Sequence, residues 1–156
     1  MYGVLVMALR WTPELEIGIP VIDSQHERIV DYINKVELAH QHHSHKELME
    51  VLDELVDYTV SHFAFEETLM EEAGYPFVKP HKKVHSLFTR RISAYQQSAR
   101  AGEDVTEELM HTLTNWLVNH IKHDDRDYTG VVKENMQAAT QRVKAKKGSW
   151  MKRLFG

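Results

Sequence analysis

Two pairs of residues with metal-binding side chains lie four positions apart in one segment of the chain. His62 and Glu66 form the first pair, and His81 and His85 form the second, after a break marked by Pro76. Residues four apart on an α-helix lie about 40° from eclipse, so both members of a pair can reach one point. One pair alone is weak evidence, because an inward-facing histidine is more often a hydrogen-bonded core residue. The spacing indicates chelation only if further ligands converge on the same place.

Further candidate ligands lie on two other segments. His26 and His120 each occupy a stripe of otherwise apolar residues, so four segments direct polar groups inward, where burial without a partner is costly. A shared metal site would satisfy these groups. After His120, Asp124 stands at spacing four and Asp125 at spacing five. A regular helix favours Asp124, whereas a distorted or ending helix favours Asp125, and the residues alone leave that choice open.

Four stretches with apolar residues every three or four positions predict four helices joined by short breaks. The first two open on capping-box spacings, Ser24 with Glu27 and Ser44 with Glu47, and the fourth follows Asp104 as its N-cap. Helices of about 20 residues with short connections favour an all-α fold, an antiparallel up-down-up-down four-helix bundle.

The composition limits the class of protein. The chain has 156 residues, 42% hydrophobic and 27% charged, which suits one compact domain. It has no cysteine and eleven histidines, so any metal must be held by histidine nitrogen and carboxylate oxygen. We predict an N-terminal arm over residues 1–22, the bundle over 23–128, and a C-terminal helix with a basic amphipathic tail over 129–156.

The N-terminal stretch "MYGVLVMAL" is apolar but lacks the basic start and cleavage pattern of a secretory signal. No apolar run approaches the roughly 20 residues that span a bilayer. We therefore expect a cytoplasmic location, and either Met1 or Met7 could be the natural start.

The C-terminal end is basic. Six lysines and arginines follow the last acid, Glu134, and the formal net charge falls from −4 to −10 when those six charges are left out. Such an acidic body argues against nucleic-acid binding. Residues 142–156 could dock weakly on the inner membrane face or in a partner's groove; an end that frays or folds back on the acidic body is an equal alternative.

These motifs together resemble the hemerythrin family, in its bacterial single-domain form. The resemblance covers about residues 11–130 and rests on "GIPVIDSQH", "HFAFEE", "YPFVKPHKKVH" and "WLVNHIKHDDRDY". It implies two iron ions, selects Asp125 over Asp124, and leaves Asp124 as a solvated neighbour. It also implies the ligands: His81, His85 and His120 for one ion, His26 and His62 for the other, and Glu66 and Asp125 bridging both.

A coordination count adds one open position to this picture. Two octahedral ions offer about twelve positions, and five histidines, two bridging carboxylates and a shared oxo or hydroxo bridge fill about eleven. The open position belongs to the ion with two histidines. Ligand number favours iron over zinc, while the residues alone leave copper and manganese open. One step or one turn from the ligands we expect apolar pocket walls: Ile29, Phe63, Trp116, Leu117 and Ile121.

An apolar pocket without an acid or base favours reversible binding of a small ligand, although core residues line any interior site and ordinary packing explains the same pattern. We predict a monomer that binds O₂ reversibly for storage, delivery or sensing, with NO as a further ligand. The alternative is a di-iron enzyme: an oxidase, a peroxidase or a nitric oxide reductase.

The remaining histidines are predicted to lie outside the site. "ELAH" and "ELMH" match the Glu-x-x-His signature of ferritin-like proteins, but His111 lies about 180° around the helix from His120 and should face water. His123 is likewise predicted at the surface. A loop tract is predicted to be solvated: His40, His42, His43 and His45.

Overall fold

The computed structural model describes residues 9–155, which form a bundle of helices. A short 3-10 turn at Pro13–Leu15 precedes the first long helix. Helix α1 spans Pro20–Gln41, α2 spans His45–Glu72 and α3 spans Val78–Arg100. The short connections make consecutive helices antiparallel neighbours.

The fourth helix of the bundle is built from three consecutive segments. Helix α4 spans Thr106–Asn119, a π-helical turn spans His120–Asp125, and α5 spans Arg126–Phe155. Helix α1 contacts α2 and α4, and α3 contacts α2 and α4, so the four helices close into a ring. The predicted all-α, antiparallel four-helix bundle is confirmed.

The start of α1 differs from the prediction. The helix begins at Pro20, whose fixed φ suits a first helical position, so the capping box at Ser24 is wrong. Asp23 stabilises the entry instead, because its carboxylate accepts hydrogen bonds from the backbone N–H groups of Ile17 and Gly18 at 2.8 and 3.0 Å. A carboxylate in the first turn is also favoured by the helix dipole.

The starts of α2 and α4 are closer to the prediction. Ser44 Oγ accepts a hydrogen bond from the backbone N–H of Glu47 at 3.2 Å, as the capping-box spacing predicts. Asp104 Oδ1 accepts a long bond of 3.4 Å from the backbone N–H of Thr106, but the N-cap position itself is Val105. The predicted cap is therefore displaced by one residue.

The interior is mostly apolar, with polar residues concentrated in one region. Eleven polar residues are buried in the described range, and seven of them are the predicted metal ligands. Burial of seven titratable groups in one core requires a common partner. Ile22, Ile33, Leu52 and Leu55 are fully buried in the apolar part of the interior, on α1 and α2.

The C-terminal half of α5 leaves this core. Tyr128 and Val132 are buried, whereas every described residue from 137 onward is exposed. Within residues 9–155, no helix has the length and apolar character needed to cross a bilayer. The expectations about an export signal and about Met1 or Met7 as the start lie outside the described residues, and the domain boundaries stay predictions.

Candidate metal centre

All four helices of the bundle contribute to one buried polar cluster. Helix α1 supplies one histidine, α2 a histidine and a glutamate, α3 two histidines, and the π-helical turn a histidine and an aspartate. None of the seven side chains is more than 5% exposed. Their nitrogen and oxygen atoms form two groups that could each hold a metal ion, and the two groups share Glu66. The structure thus brings together every predicted ligand: His26, His62, Glu66, His81, His85, His120 and Asp125.

Three histidines form one side of the cluster. The Nε2 atoms of His81 and His85 lie 3.1 Å apart, and those of His85 and His120 lie 3.0 Å apart. Adjacent ligands at bond lengths of about 2.1 Å are about 3.0 Å apart around an octahedral ion and about 3.4 Å apart around a tetrahedral one. The spacing of these nitrogens fits an octahedral ion better than tetrahedral zinc.

Glu66 connects the three-histidine group to the other two histidines. Its Oε1 lies 2.9 Å from His81 Nε2 and 3.2 Å from His85 Nε2. Its Oε2 lies 3.2 Å from His62 Nε2 and 3.8 Å from His26 Nε2. One carboxylate therefore presents one oxygen to each group, which is the arrangement of a bridging ligand.

Asp125 repeats this arrangement from the opposite helix. Its Oδ1 lies 3.0 Å from His120 Nε2 and 3.3 Å from His81 Nε2, while its Oδ2 lies 3.2 Å from His26 Nε2. The two groups are thus unequal in nitrogen, three against two, and equal in bridging oxygen. That asymmetry follows from the coordinates without reference to any relative.

Several of these buried atoms have no hydrogen-bond partner in the described part of the chain. They include both ring nitrogens of His26, Nε2 of His62, Oε2 of Glu66 and both carboxylate oxygens of Asp125. A buried polar atom without a partner costs about 1–3 kcal/mol, and more when charged. Five of these six atoms, all except Nδ1 of His26, face one another inside the cluster, which fits a site whose partners are metal ions.

The π-helical turn explains how His120 and Asp125, five residues apart, can face the same site. On a regular α-helix Asp125 would lie about 140° from His120. Hydrogen bonding from i to i+5 widens the turn, so residues five apart come onto the same face. Asp125 is fully buried, whereas the Asp124 side chain is 43% exposed. The helix is therefore distorted after His120, which is one of the two alternatives that the sequence allowed, and the distortion turns Asp125 inward.

Two outer carboxylates contact predicted ligand rings on the three-histidine side. His120 Nδ1 lies 2.7 Å from Asp124 Oδ2, and His85 Nδ1 lies 2.9 Å from Glu67 Oε1. In each pair a protonated Nδ1 can donate to the carboxylate, which leaves Nε2 free to bind a metal. Asp124 is therefore partly solvated, as predicted, and it also contacts the ring of a predicted ligand.

On the two-histidine side the outer partner is neutral. His62 Nδ1 lies 2.6 Å from Gln25 Oε1. Sequence reasoning did not assign a role to Gln25 or Glu67. Both residues lie next to a predicted ligand in the sequence, which was the available signal: Gln25 directly precedes His26, and Glu67 follows Glu66. In each of the pairs "EE" and "DD", one carboxylate lies inside the site and the other contacts a ligand ring from behind.

The electrostatics of the metal-free cluster favour protons on imidazole. Burial lowers the pKa of His26 and His81, but the carboxylates of Asp125 and Glu66 outweigh it and raise both values to about 9. Burial also lowers the pKa of His120, but the charge of Asp125 outweighs burial and raises this pKa to about 9. Burial dominates at His62 and lowers its pKa. Metal ions must compete with these protons.

The same contacts act on the two carboxyl groups. Burial alone would raise the pKa of Glu66, but the close contacts of its carboxylate with four imidazoles hold that pKa well below its ordinary value. Asp125 is also shifted down, because the favourable contacts with His120 and His26 outweigh burial and the charge of Glu66. Both bridging candidates are therefore ionised at neutral pH.

Aromatic residues pack against the ligand rings. Phe63 stacks on His85 with ring centroids 3.8 Å apart, and Trp116 stacks on His120 at 4.2 Å. Phe88, which was not predicted as a wall residue, stacks on Trp116 at 3.6 Å. These contacts fix the orientation of two ligand rings on the three-histidine side.

The other predicted wall residues are buried. Ile29, Leu117 and Ile121 are at most 4% exposed, and Phe63 is 5% exposed. Trp116 is partly buried. Burial is compatible both with a ligand pocket and with ordinary core packing, so the role of these five residues as an O₂ pocket stays a prediction.

Tyr128 is a further neighbour of the cluster that sequence reasoning did not assign. Its ring centroid lies 5.6 Å from that of His81, and its buried hydroxyl has no hydrogen-bond partner in the described range. Burial, together with the charges of Glu66 and Asp125, raises its pKa above the ordinary value. Its position three residues after Asp125, one turn along the same face, was the available signal.

The histidines predicted to lie outside the cluster are all exposed. His111 is on the outer face of α4, as its angular separation from His120 predicts. In the loop tract, His42 Nδ1 lies 2.9 Å from Glu47 Oε2, a contact between two exposed side chains. The other exposed members of this set are His40, His43, His45 and His123.

Comparison with known proteins agrees with this cluster. A family model described as "Hemerythrin HHE cation binding domain" matches residues 17–132, most of the chain. The chain belongs to the hemerythrin family. The resemblance predicted from the sequence motifs is confirmed. A bacteriohemerythrin of Pseudomonas aeruginosa (strain LESB58) is 52% identical over 95% of this chain and 98% of its own length.

Other hemerythrins match over different shares of the chain. A bacteriohemerythrin of Stenotrophomonas maltophilia (strain R551-3) is 45% identical over 95% of this chain and 98% of its own. A crystal structure of wild-type hemerythrin superposes with a TM-score of 0.76 and 31% identity, covering 81% of this chain and 98% of that structure. About a fifth of this chain therefore has no counterpart in that solved hemerythrin.

Proposed function

We propose that this hemerythrin binds O₂ reversibly at a pair of iron ions, for oxygen storage, delivery or sensing. The observation that supports it best is the unequal cluster, with three ring nitrogens on one side, two on the other, and both carboxylates divided between them. With one oxo or hydroxo bridge added, such a ligand set fills all six positions of one octahedral ion and five of its neighbour's, so one position stays open.

The ligand roles follow the geometry. His81, His85 and His120 would hold one iron, His26 and His62 the other, and Glu66 and Asp125 would bridge them. We infer an oxo or hydroxo group as a third bridge. When bound, an iron pair would supply a reversible two-electron exchange with O₂.

The chain's own residues make that exchange reversible. Asp124 and Glu67 hold the Nδ1 protons of His120 and His85, so these rings keep one orientation and one tautomer. The buried side chains of Leu117 and Ile121 keep water away from the ligands, and a dry pocket slows irreversible loss of a reduced ligand.

The open coordination position could also accept NO, another small ligand of ferrous iron. A di-iron enzyme is the alternative function, but it needs a second substrate or a proton donor beside the open position. The five predicted wall residues carry no titratable group, which favours the carrier. The monomeric state and the cytoplasmic location stay predictions.

Repeated oxygenation tests the proposal. The iron-loaded chain, reduced under nitrogen, is exposed to air and then returned to nitrogen while its visible spectrum and O₂ uptake are recorded. We expect an O₂-dependent band that appears and disappears over several cycles, with one O₂ taken up per two irons. Continuous O₂ consumption in the presence of reductant, with no band that reverses, would instead identify an oxidase.

Two histidine variants provide matched controls. His62→Ala removes a ligand of the two-histidine side and should abolish the reversible band. His111→Ala removes an exposed histidine of another helix and should leave the band intact. Equal oxygenation of both variants would contradict the assignment of the open position to the His26 and His62 side.

A further inference from the structure

The C-terminal part of α5 is a free-standing helix. Residues 137–155 are exposed along their whole length and remain helical to Phe155. At 1.5 Å per residue they extend about 28 Å. The family model ends at residue 132, so this extension, called here the tail helix, lies outside the part of the chain that forms the metal cluster.

One side of the tail helix is apolar. Val143, Trp150 and Leu154 fall within an arc of about 40°, and they are 55%, 59% and 55% exposed. Met151 and Phe155 lie about 60° and 100° further around the helix and are 56% and 84% exposed. Lys146 and Lys147 separate Val143 from the rest, whereas the other four apolar side chains are neighbours in the last two turns. A contiguous exposed cluster of large apolar side chains indicates an interaction surface.

Every charged side chain of the tail helix is cationic, and Lys144 and Lys147 border its apolar side. No acidic residue occurs after Glu134, whereas the segment carries Arg142, Lys144, Lys146, Lys147, Lys152 and Arg153. Without these six charges the formal charge of the chain falls from −4 to −10. The molecule is therefore polarised, with a strongly acidic bundle and a basic amphipathic extension.

We propose that the tail helix docks on the surface of an anionic lipid bilayer. A helix with a lysine- and arginine-rich face and tryptophan, leucine and phenylalanine on the other lies in the plane of the headgroups, with its apolar side in the acyl boundary. The anionic surface attracts the six cations and repels the acidic bundle. The bundle, with the metal cluster in its core, consequently stays on the aqueous side of the lipid surface.

Charge also decides against two other occupants. A second tail helix would bring six like charges alongside six, with no acid at the flanking positions to pair them. Nucleic acid would match the cations but would leave the apolar cluster around Trp150 and Leu154 exposed. An anionic bilayer is the surface that satisfies both faces of the helix at once.

Co-sedimentation of the full chain with lipid vesicles tests the proposal. We expect pelleting with vesicles containing phosphatidylglycerol, little with pure phosphatidylcholine, and loss of binding at high salt. Each cation near an anionic surface contributes about fivefold to partitioning, so Lys146→Ala with Lys152→Ala should weaken binding about 25-fold. The charge-matched control is Lys46→Ala with Lys83→Ala, two exposed lysines of the bundle, which should bind like the unmodified chain.

A second pair of variants tests the apolar face. Trp150→Ala with Leu154→Ala should weaken partitioning by about tenfold or more, whereas Phe77→Ala with Leu87→Ala, equally exposed on the bundle at 61% and 55%, should not. Failure of the unmodified chain to pellet on anionic vesicles would overturn the proposal. Binding that ignores both tail variants, self-association through the tail in place of pelleting, or DNA binding as tight as vesicle binding would overturn it too.

Discussion

Removal of the Asp124 carboxylate should weaken the metal centre although Asp124 is not a proposed ligand. Its Oδ2 accepts a hydrogen bond from His120 Nδ1 at 2.7 Å, a short charge-assisted contact. This bond fixes the ring so that Nε2 faces Asp125 at 3.0 Å. Asp124→Ala leaves Nδ1 without that acceptor and lets the ring rotate or change tautomer.

The expected loss of metal affinity follows from the place of this hydrogen bond, directly behind a proposed metal ligand. Loss of an outer partner of a metal-bound histidine typically weakens metal affinity by about 10–100-fold, or about 1.4–2.8 kcal/mol. Because the Asp124 side chain is 43% exposed, solvent replaces part of the lost bond, and we expect the lower half of that range. Asp124→Asn should lose less, since its amide oxygen can still accept the proton of Nδ1.

The iron affinity of each variant is measured by titrating ferrous iron into the metal-free chain under nitrogen, in competition with a chromophoric chelator. Asp127→Ala is the matched control, because it removes an exposed aspartate three residues further along the same helix. We expect the Asp127 variant to bind iron like the unmodified chain. Equal affinity of the Asp124→Ala variant would refute the idea that this carboxylate orients His120.

Two further predictions concern the pocket and the metal-free protein. Leu117→Ala removes a buried side chain of the predicted pocket wall and should lower the unfolding free energy by about 2–5 kcal/mol, as measured by urea denaturation. It should also accelerate irreversible oxidation of the iron-loaded form and so shorten the lifetime of the O₂-dependent band. A longer-lived band would contradict the role of Leu117 as a wall residue. In the metal-free chain, the pKa values of His26, His81 and His120 are raised from 6.5 to about 9, so their contribution to stability is complete below pH 6.5 and is lost as the pH rises through 9. The urea midpoint should fall over that interval, and a midpoint that rises would show that these histidines are neutral in the folded protein.

The membership of the buried polar cluster was largely predictable, because helical period and burial act on each residue separately. His62, Glu66, His81 and His85 follow from spacing four on a helix, and their inward direction follows from the apolar stripes around them. The π-helical turn could not be derived in this way. Its formation depends on the cluster as a whole, because only the site gives Asp125 a reason to turn inward.

The helix starts show the same division between local and tertiary causes. Ser44 caps α2 through a bond to its own third neighbour, a local interaction that the sequence displays. Ser24 had the same local signal, but Pro20 and the Asp23 contacts with the preceding turn start α1 earlier. The outer residues Gln25 and Glu67 were missed because the partner of each lies on another helix.

Metal stoichiometry is the most direct test of the central claim that seven side chains hold a pair of ions. Elemental analysis of the full chain, loaded with ferrous iron under nitrogen and freed of excess metal, should give two irons per chain. Glu66→Ala, which removes an oxygen from both sides of the cluster, should reduce this number. One ion per chain, or two ions retained without Glu66, would contradict the account.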